Sequence, residues 1–350
     1  MKIAIFNPYL DTPSGGEKYI LTLAQCLSDA HAVSILWDSR EEVKKAADRF
    51  NLEIDTISVD PNIFSPKFSK LQRLVASKKY DAIIYLSDGS IPIVLCSLYI
   101  HFQFPVEWIT LTPITRLKLS RTARIFCNSE FTRSYVDQKL QIKSALIYPP
   151  VDIKKKDIPK ENIIMHVGRF TTADVDYKKQ HFMIETFKKM IQAGLRDWKL
   201  VMAVSVRSKE LVDFQKMQQT AAGFPISFVV NATNDDLWNA YSKAKIYWHA
   251  SGYGEDLVVH PDRAEHFGIS TVEAMGAGAV PVVIRAGGQS EVVTDGKNGF
   301  LWETQEEFIH KTRQLIQDAS LLEKVSKNAQ ESSRIYGIER FCNEVCELVK

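Results

Sequence analysis

Short apolar runs alternate along this chain with longer segments that are apolar on one face only, and the alternation stops once and starts again. Strand-like runs lie at 2–6, 32–37, 82–86, 95–100, 124–127 and 145–148, with a further β-rich stretch at 52–59. Helix-like spacing separates them, as in Tyr19, Ile20, Leu23 and Leu27 after Glu17. Apolar strands that alternate with helices predict a parallel sheet covered on both faces. The segment YPPVDIKKKDIPKEN at 148–162 breaks the pattern with prolines and lysines and reads as a linker. A second series then begins at 162–170, with strands expected at 198–204, 225–230 and 279–284. Its helices are expected from about Lys179, Ser208 and Asn234, the last with Asn234 as N-cap ahead of Asp235 and Asp236. A short helix near Ser290, a turn at 295–300 and three C-terminal helices complete the series. The expected fold class is therefore α/β, with two Rossmann-like doubly wound domains at 1–152 and 153–335 and a terminal helix at 336–350. Such sheets bind at the carboxyl ends of their strands, which places a ligand in a cleft between the two halves.

Composition narrows the partners. Lys and Arg total 44 against 42 Asp and Glu, a balance that leaves no polyelectrolyte surface for nucleic acid. The five cysteines form no CxxC pair and are odd in number, which predicts a reduced, cytoplasmic chain. No signal peptide is recognised ahead of the first strand, and the apolar run IPIVLCSLYI is too short to cross a bilayer.

The stretch AEHFGISTVEAMGAG at 264–278 concentrates the chemistry. A polar loop runs into a helix pattern and then into the strand-like AVPVVI, so the helix start is aimed at the expected crevice. Free N–H groups and a partial positive charge at a helix start suit a phosphate held by the turn Phe267, Gly268, Ile269 and Ser270. Glu265 and Glu273 bracket that turn and can accept hydrogen bonds from sugar hydroxyls on either side of the phosphate. The pair Gly15-Gly16, between the first strand and first helix, reads equally as a close backbone approach to phosphate or sugar and as an ordinary tight turn. Arg169 and Lys178 form a fork and a point charge suited to a diphosphate, or else two solvated charges. His101 is expected at the carboxyl end of its strand, where it either meets a bound sugar or fills a structural place.

Two tracts of the first half contain no acidic residue. One, at 61–80, spaces Phe64, Phe68, Leu71 and Val75 as one helix face, with Lys67, Lys70, Arg73, Lys78 and Lys79 elsewhere. The other, at 108–129, carries Arg116, Lys118, Arg121 and Arg124. Such surfaces either pack their apolar face on the domain or lie against anionic lipid.

These residues resemble the retaining glycosyltransferases of family 4, which have the two-domain GT-B fold. The likeness lies in EHFGISTVEAMGAGAVPVV with its two spaced glutamates, in SGGEKYILTLA, NSEFTRSYV, IYPPVD, HVGRF, KKQHFMIETF and GGQSEVVTDGKNGFLW, and in a final helix like the one that returns to the first domain. The preamble GYGEDLVVHPDRAEHFGI and the segment YIHFQFP resemble mannosyltransferases of lipid-linked oligosaccharide assembly. The resemblance implies transfer of a hexose from a nucleoside diphosphate sugar, GDP- or UDP-linked, to a hydroxyl of a glycan or lipid-linked acceptor, with retention and with neither metal nor cofactor. It also implies roles: Arg169 and Lys178 on the donor diphosphate beside the Gly268 to Ser270 amides, Glu273 on the ribose, Glu265 on the donor sugar with His101 opposite, and Gly15 and Gly16 on the acceptor and phosphate side. The usual Lys-Gly pair reads Lys178-Lys179 here, so either lysine fits the diphosphate. A nucleotide-sugar epimerase or hydrolase can share the two-domain fold, and a non-catalytic sugar-binding paralogue is disfavoured because both glutamates, the Arg-Lys pair and the histidine are all present. A nicotinamide enzyme, suggested by Asp38, is disfavoured because the first loop lacks G-x-G-x-x-G spacing.

Overall fold

The computed structural model describes residues 1–10, 15–172 and 176–350. They form two compact units, one of residues 1–150 with 338–350 and one of residues 151–337.

The first unit is a seven-stranded sheet in the order β3-β2-β1-β4-β5-β6-β7, parallel throughout. Its strands are β1 (Lys2–Phe6), β2 (Ala32–Leu36), β3 (Ser58–Asp60), β4 (Ala82–Leu86), β5 (Ser97–Phe102), β6 (Arg124–Cys127) and β7 (Ala145–Leu146). Central β4 is buried at every position, as a strand covered on both faces must be. One face packs on α1 (Gly15–Ser28) and α2 (Arg40–Phe50), with Ile20, Leu23, Leu27, Val43 and Ala47 in its core. The other is covered from α3 (Lys70–Ser77), α4 (Pro113–Leu119) and α5 (Glu130–Leu140), which contribute Ala76, Leu119, Val136 and Leu140. The β-rich reading of 52–59 holds only for its last two residues. Ile54 and Ile57 are buried from a turn closed by Ile57 N–H on Ile54 O, so apolar content there reflects core contact without a strand.

The acid-free tracts also differ from a single packed face. Turns closed on Asn62 and Ser65 occupy the segment around Pro66, and the helix starts only after the Ser69 capping box. This changes the helical phase. Phe64 packs inward, whereas Leu71 and Val75 on α3 are 70% and 61% exposed, and Ile114 and Leu117 on α4 are 67% and 64% exposed.

The second unit is a six-stranded parallel sheet in the order β10-β9-β8-β11-β12-β13. It contains β8 (Glu161–Arg169), β9 (Lys199–Ser205), β10 (Ile226–Val230), β11 (Ala244–His249), β12 (Val280–Ile284) and β13 (Phe300–Trp302). Its helices are α6 (Gln180–Gln192), α7 (Leu211–Ala221), α8 (Asn234–Lys243), α9 (Ile269–Gly276), α10 (Gln289–Val292), α11 (Gln305–Gln317) and α12 (Ala319–Ser333). Thr233, not Asn234, is the N-cap of α8: its hydroxyl accepts from Asp236 N–H, and Asn234 is the first helical residue.

The last helix, α13 (Ile338–Leu348), rejoins the first unit. Phe341, Val345 and Leu348 enter the core on the α1 side, and Phe341 meets the Tyr19 ring edge-on at 4.9 Å. Cys342 is disulfide-bonded to Cys26 of α1, which corrects the expectation of a fully reduced chain. The two cysteines are 316 positions apart and form no spacing motif, so only the fold brings them together. Among the described residues, no helix is long and apolar enough to cross a membrane.

Candidate active site

The loop before α9 is shaped by glycines from two segments. Gly268 caps α9 with φ +104°, a left-handed backbone that other residues adopt at a cost. The Gly287-Gly288 turn crosses the same loop closely. A Cβ on Gly287 would lie 2.2 Å from Glu265 O, and one on Gly288 would lie 2.4 Å from Phe267 Cα. Gly288 N–H then donates to Glu265 O over 2.8 Å, and Thr271 Oγ1 donates to Gln289 Oε1 over 3.0 Å. The segment GGQSE thus holds EHFG in place, and the backbone direction into α9 follows from that crossing.

Glu265 lies at the centre of a polar cluster. Its Oε2 accepts from Lys178 Nζ at 2.6 Å and meets His249 Nε2 at 2.9 Å. Burial alone would raise the carboxyl, but the Lys178 ammonium and the His249 imidazole outweigh it and hold Glu265 well below the usual carboxylate range. Burial also lowers the pKa of His249, against the pull of Glu265. His249 closes β11, and Ser251 Oγ lies 3.4 Å from its Nε2. Next to it, His166 in β8 is fully buried, bonded through Nδ1 to Trp248 O at 3.1 Å and pushed by desolvation down to about 3. Among the described residues His166 Nε2 has no hydrogen-bond partner, and it would stand 3.1 Å from a Cβ on Gly168, which in turn would touch Lys178 Cγ at 3.6 Å.

The second carboxylate sits on α9 itself. Glu273 is buried and its Oε2 accepts from Tyr241 OH of α8 at 3.0 Å. Burial, with the charges of both glutamates, holds the Tyr247 phenol well above its usual range, and it donates to Ser270 Oγ at 2.8 Å. Its hydroxyl also lies 3.5 Å from Val167 O, tying the end of β8 to the start of α9. Glu265, Glu273, Lys178, Gly268 and Ser270 are thereby brought to one end of the second sheet. Arg169 is the last residue of β8 and its side chain is exposed there, while its carbonyl accepts from Gln180 Nε2 at 3.2 Å. Ile269 flanks Ser270 in the first turn of α9.

The two adjacent lysines have separate partners. Lys178 pairs with Glu265, whereas Lys179, in a left-handed conformation at the start of α6, pairs with Glu255, which also binds Arg263 at 2.8 Å. The cluster therefore contains Lys178, and Lys179 anchors the 252–263 segment instead. Phe267 borders the α9 start through its backbone, while its ring is buried and meets Tyr336 edge-on at 5.3 Å.

The remaining expected residues belong to the first unit. Gly15 and Gly16 form the first turn of α1, which starts two residues earlier than its pattern predicts, and Gly16 O accepts from Gln103 Nε2 at 3.2 Å. His101 does lie near the carboxyl end of β5, but its ring is fully buried, stacked between Tyr19 at 4.4 Å and Phe126 at 4.3 Å. Strand alternation turns it onto the face covered by α1, where the ring is fully enclosed. His249, Tyr241 and Tyr247 were not anticipated. His249 closes an apolar strand just as His101 nearly closes its own, and that signal applied equally to both.

Comparison with known proteins identifies the family and the fold. Residues 150–332 match the family model described as Glycosyl transferases group 1, and residues 13–155 match Glycosyltransferase Family 4. Among curated relatives, a GDP-Man:Man(3)GlcNAc(2)-PP-Dol alpha-1,2-mannosyltransferase of Dictyostelium discoideum is 23% identical over 59% of this chain and 42% of its own length. The sulfoquinovosyl transferase SQD2 of Arabidopsis thaliana is 28% identical over 51% of this chain and 31% of its own length. The chain spans less than two thirds of either relative. Among solved structures, Anabaena Alr3699/HepE in complex with UDP and glucose superposes with TM-score 0.75 at 18% identity, covering 100% of this chain and 99% of that one. A glycosyltransferase from Rickettsia africae gives TM-score 0.76 at 16% identity over 100% and 98% of the two chains. With two Rossmann-like units of the GT-B class, and one family description spanning more than half of its length, the chain belongs to the group 1, family 4 glycosyltransferases.

Proposed function

We propose that this protein is a retaining glycosyltransferase that moves a hexose from a nucleoside diphosphate sugar to an acceptor hydroxyl. The observation that carries the reading is the gathering of Glu265, Lys178, Glu273 and the α9 start at one end of a parallel sheet. In this reading Arg169, Lys178 and the first N–H groups of α9 hold the donor diphosphate, Glu273 accepts from the ribose hydroxyls, and Glu265 contacts the donor sugar. Lys178 is neutralised by Glu265 before donor arrives. A diphosphate offers its ammonium a stronger partner, and its departure frees one Glu265 oxygen for a sugar hydroxyl while His249 keeps the carboxylate oriented. Positive charge from two side chains and a helix dipole stabilises the leaving group, so the reaction runs without a bound metal. The departing phosphate oxygen assists removal of the acceptor proton, and no side chain serves as a dedicated base. Gly15 and Gly16 line the acceptor and phosphate side. His101, enclosed between Tyr19 and Phe126, enters this reading as the ring that seats α1 and with it that glycine turn.

The mannosyltransferase relatives favour mannose and a lipid-linked glycan acceptor, with GDP-mannose the first donor to try. Exposed Leu71, Val75, Ile114 and Leu117 lie on helices whose tracts are basic and free of acid, and they favour contact with an anionic membrane at its cytoplasmic face. The decisive experiment incubates purified protein with GDP-mannose, UDP-glucose and related donors, with and without a lipid-linked acceptor and with EDTA throughout. Acceptor-dependent product of retained anomeric configuration is expected. Donor consumption independent of acceptor would establish the hydrolase or epimerase reading instead, and absence of any donor binding would remove the enzyme reading altogether. Sedimentation with anionic and neutral vesicles at low salt tests the membrane contact, which fails if both leave the protein in the supernatant.

A further inference from the structure

Lys160 stands at the end of the linker, one residue before β8, with its ammonium turned into a ring of main-chain oxygens. It donates to Ala244 O at 2.7 Å and Ala277 O at 2.8 Å, with Tyr241 O at 3.4 Å. Tyr241 lies in the last turn of α8 and Ala244 is its C-cap, while Ala277 is the C-cap of α9. Carbonyls at helix ends carry partial negative charge, so one ammonium serves both termini, adding to the bond Tyr241 O already accepts from Ala244 N–H. The rest of the linker lies along the same two helices. Lys156 N–H donates to Ser242 Oγ at 2.9 Å, and a Cβ on Gly276 would meet Ile153 Cδ1 at 2.6 Å.

The helices joined by Lys160 carry the two ends of the Tyr241–Glu273 hydrogen bond. It holds the backbone of Tyr241 directly. It holds Glu273 through one helical turn, because Ala277 N–H donates to Glu273 O at 3.0 Å and Ala277 O accepts from Lys160. We propose that Lys160 is a positioning residue for Glu273, fixing α8 against α9 so that the carboxylate meets the nucleotide ribose in one orientation. The inference rests on the ribose role given to Glu273 above.

The charge that does this titrates near neutrality. Burial, with a smaller push from Lys155, brings Lys160 down to about 7. The nearby charges on the same strand end are otherwise committed, Lys156 to Asp235 and Lys243 to Glu161, and burial holds the Tyr241 phenol well above its usual range. Affinity for the nucleotide should therefore decline as pH rises through about 7 in a way that depends on this one side chain.

The test is calorimetric titration of UDP and GDP into the full chain and its Lys160→Met and Lys160→Arg variants at about pH 6 and about pH 8.5, with donor KM and kcat alongside. Lys160→Met is expected to bind about tenfold more weakly at the lower pH, with kcat at saturating donor within about twofold of wild type. Lys160→Arg, charged throughout, is expected to keep the affinity and to lose the decline at higher pH. Unchanged affinity in Lys160→Met, or a pH profile for Lys160→Arg parallel to wild type, overturns the inference. A lowered Tm without a change in affinity also overturns it, marking the contact as structural alone. Should Lys160→Met not fold, Lys160→Arg and Tyr241→Phe decide, the latter expected to weaken binding and fatal to the idea if it does not. Failure of the wild type to bind either nucleotide is a separate result, which removes the ribose role and this inference with it.

Discussion

Lys178 Nζ lies 2.6 Å from Glu265 Oε2, so the cation expected to hold a diphosphate is paired, before any ligand arrives, with the carboxylate expected to touch the sugar. Each side chain thus keeps the other in place, and their attraction offsets the cost of partly withdrawing both charges from water.

Replacing Glu265 separates catalysis from folding. Glu265→Ala is expected to lower transfer by about 100-fold or more while circular dichroism stays that of the wild type. Arg169→Ala, at an exposed site, should raise donor KM and lower kcat together with little change in Tm. Full turnover in purified Glu265→Ala would overturn the assignment.

Two fully buried histidines add to the response to acid alongside Glu265 and His249. Desolvation pushes His101 and His166 down to about 3, so the unfolded chain binds protons between its ordinary histidine range and that value while the folded chain does not. Their contribution is complete above about pH 6.5 and is lost as pH falls towards 3, at about 1.4 kcal/mol per pH unit for each group. Urea unfolding at a series of pH values should show this slope, and His101→Phe, which keeps a ring between Tyr19 and Phe126, should flatten it. An unchanged slope in that variant would mean His101 titrates normally.

Gly287 tests the crossing of the two loops. Its φ of +57° and the 2.2 Å approach of a Cβ to Glu265 O leave no room for a side chain. Gly287→Ala is expected to cost about 1–3 kcal/mol and to raise donor KM by displacing the Glu265 loop. A variant with wild-type Tm and KM would show that the crossing is slack.

The Cys26–Cys342 bond should contribute measurably under oxidising conditions. Cys342→Ser is expected to lower stability by about 2–4 kcal/mol, and a reductant should bring wild type down to the variant. Equal stability of the two without reductant would show that the bond does not form in solution.

Much of this was legible in the chain because the signals were local. Buried strands such as Ile83 and Ile84 in β4 are apolar throughout, and EHFG followed by a helix pattern marks a helix start at a strand end. Contacts between distant segments were not legible. His249 and Tyr241 read as ordinary residues of a strand end and a helix, and only the packing of α8 against α9 and the approach of the loop before α9 to the end of β11 give them carboxylate partners. The exposed face of α3 was misjudged because Phe64 and Phe68 were counted in phase with Leu71 and Val75, whereas turns around Pro66 put them out of phase. Lys160 looked like one more charge in a basic linker, and nothing in its neighbours announces that three carbonyls from two helices close around it.

The placement of α13 has a consequence for how the polypeptide matures. Residues 151–337 are contiguous and can complete their core as soon as they leave the ribosome, but the core on the α1 side lacks Phe341, Val345 and Leu348 until residues 338–350 have followed them. Of these two units the earlier is thus completed after the later, and a nascent chain arrested before residue 338 carries one closed domain and one with an open apolar seam for chaperones to cover.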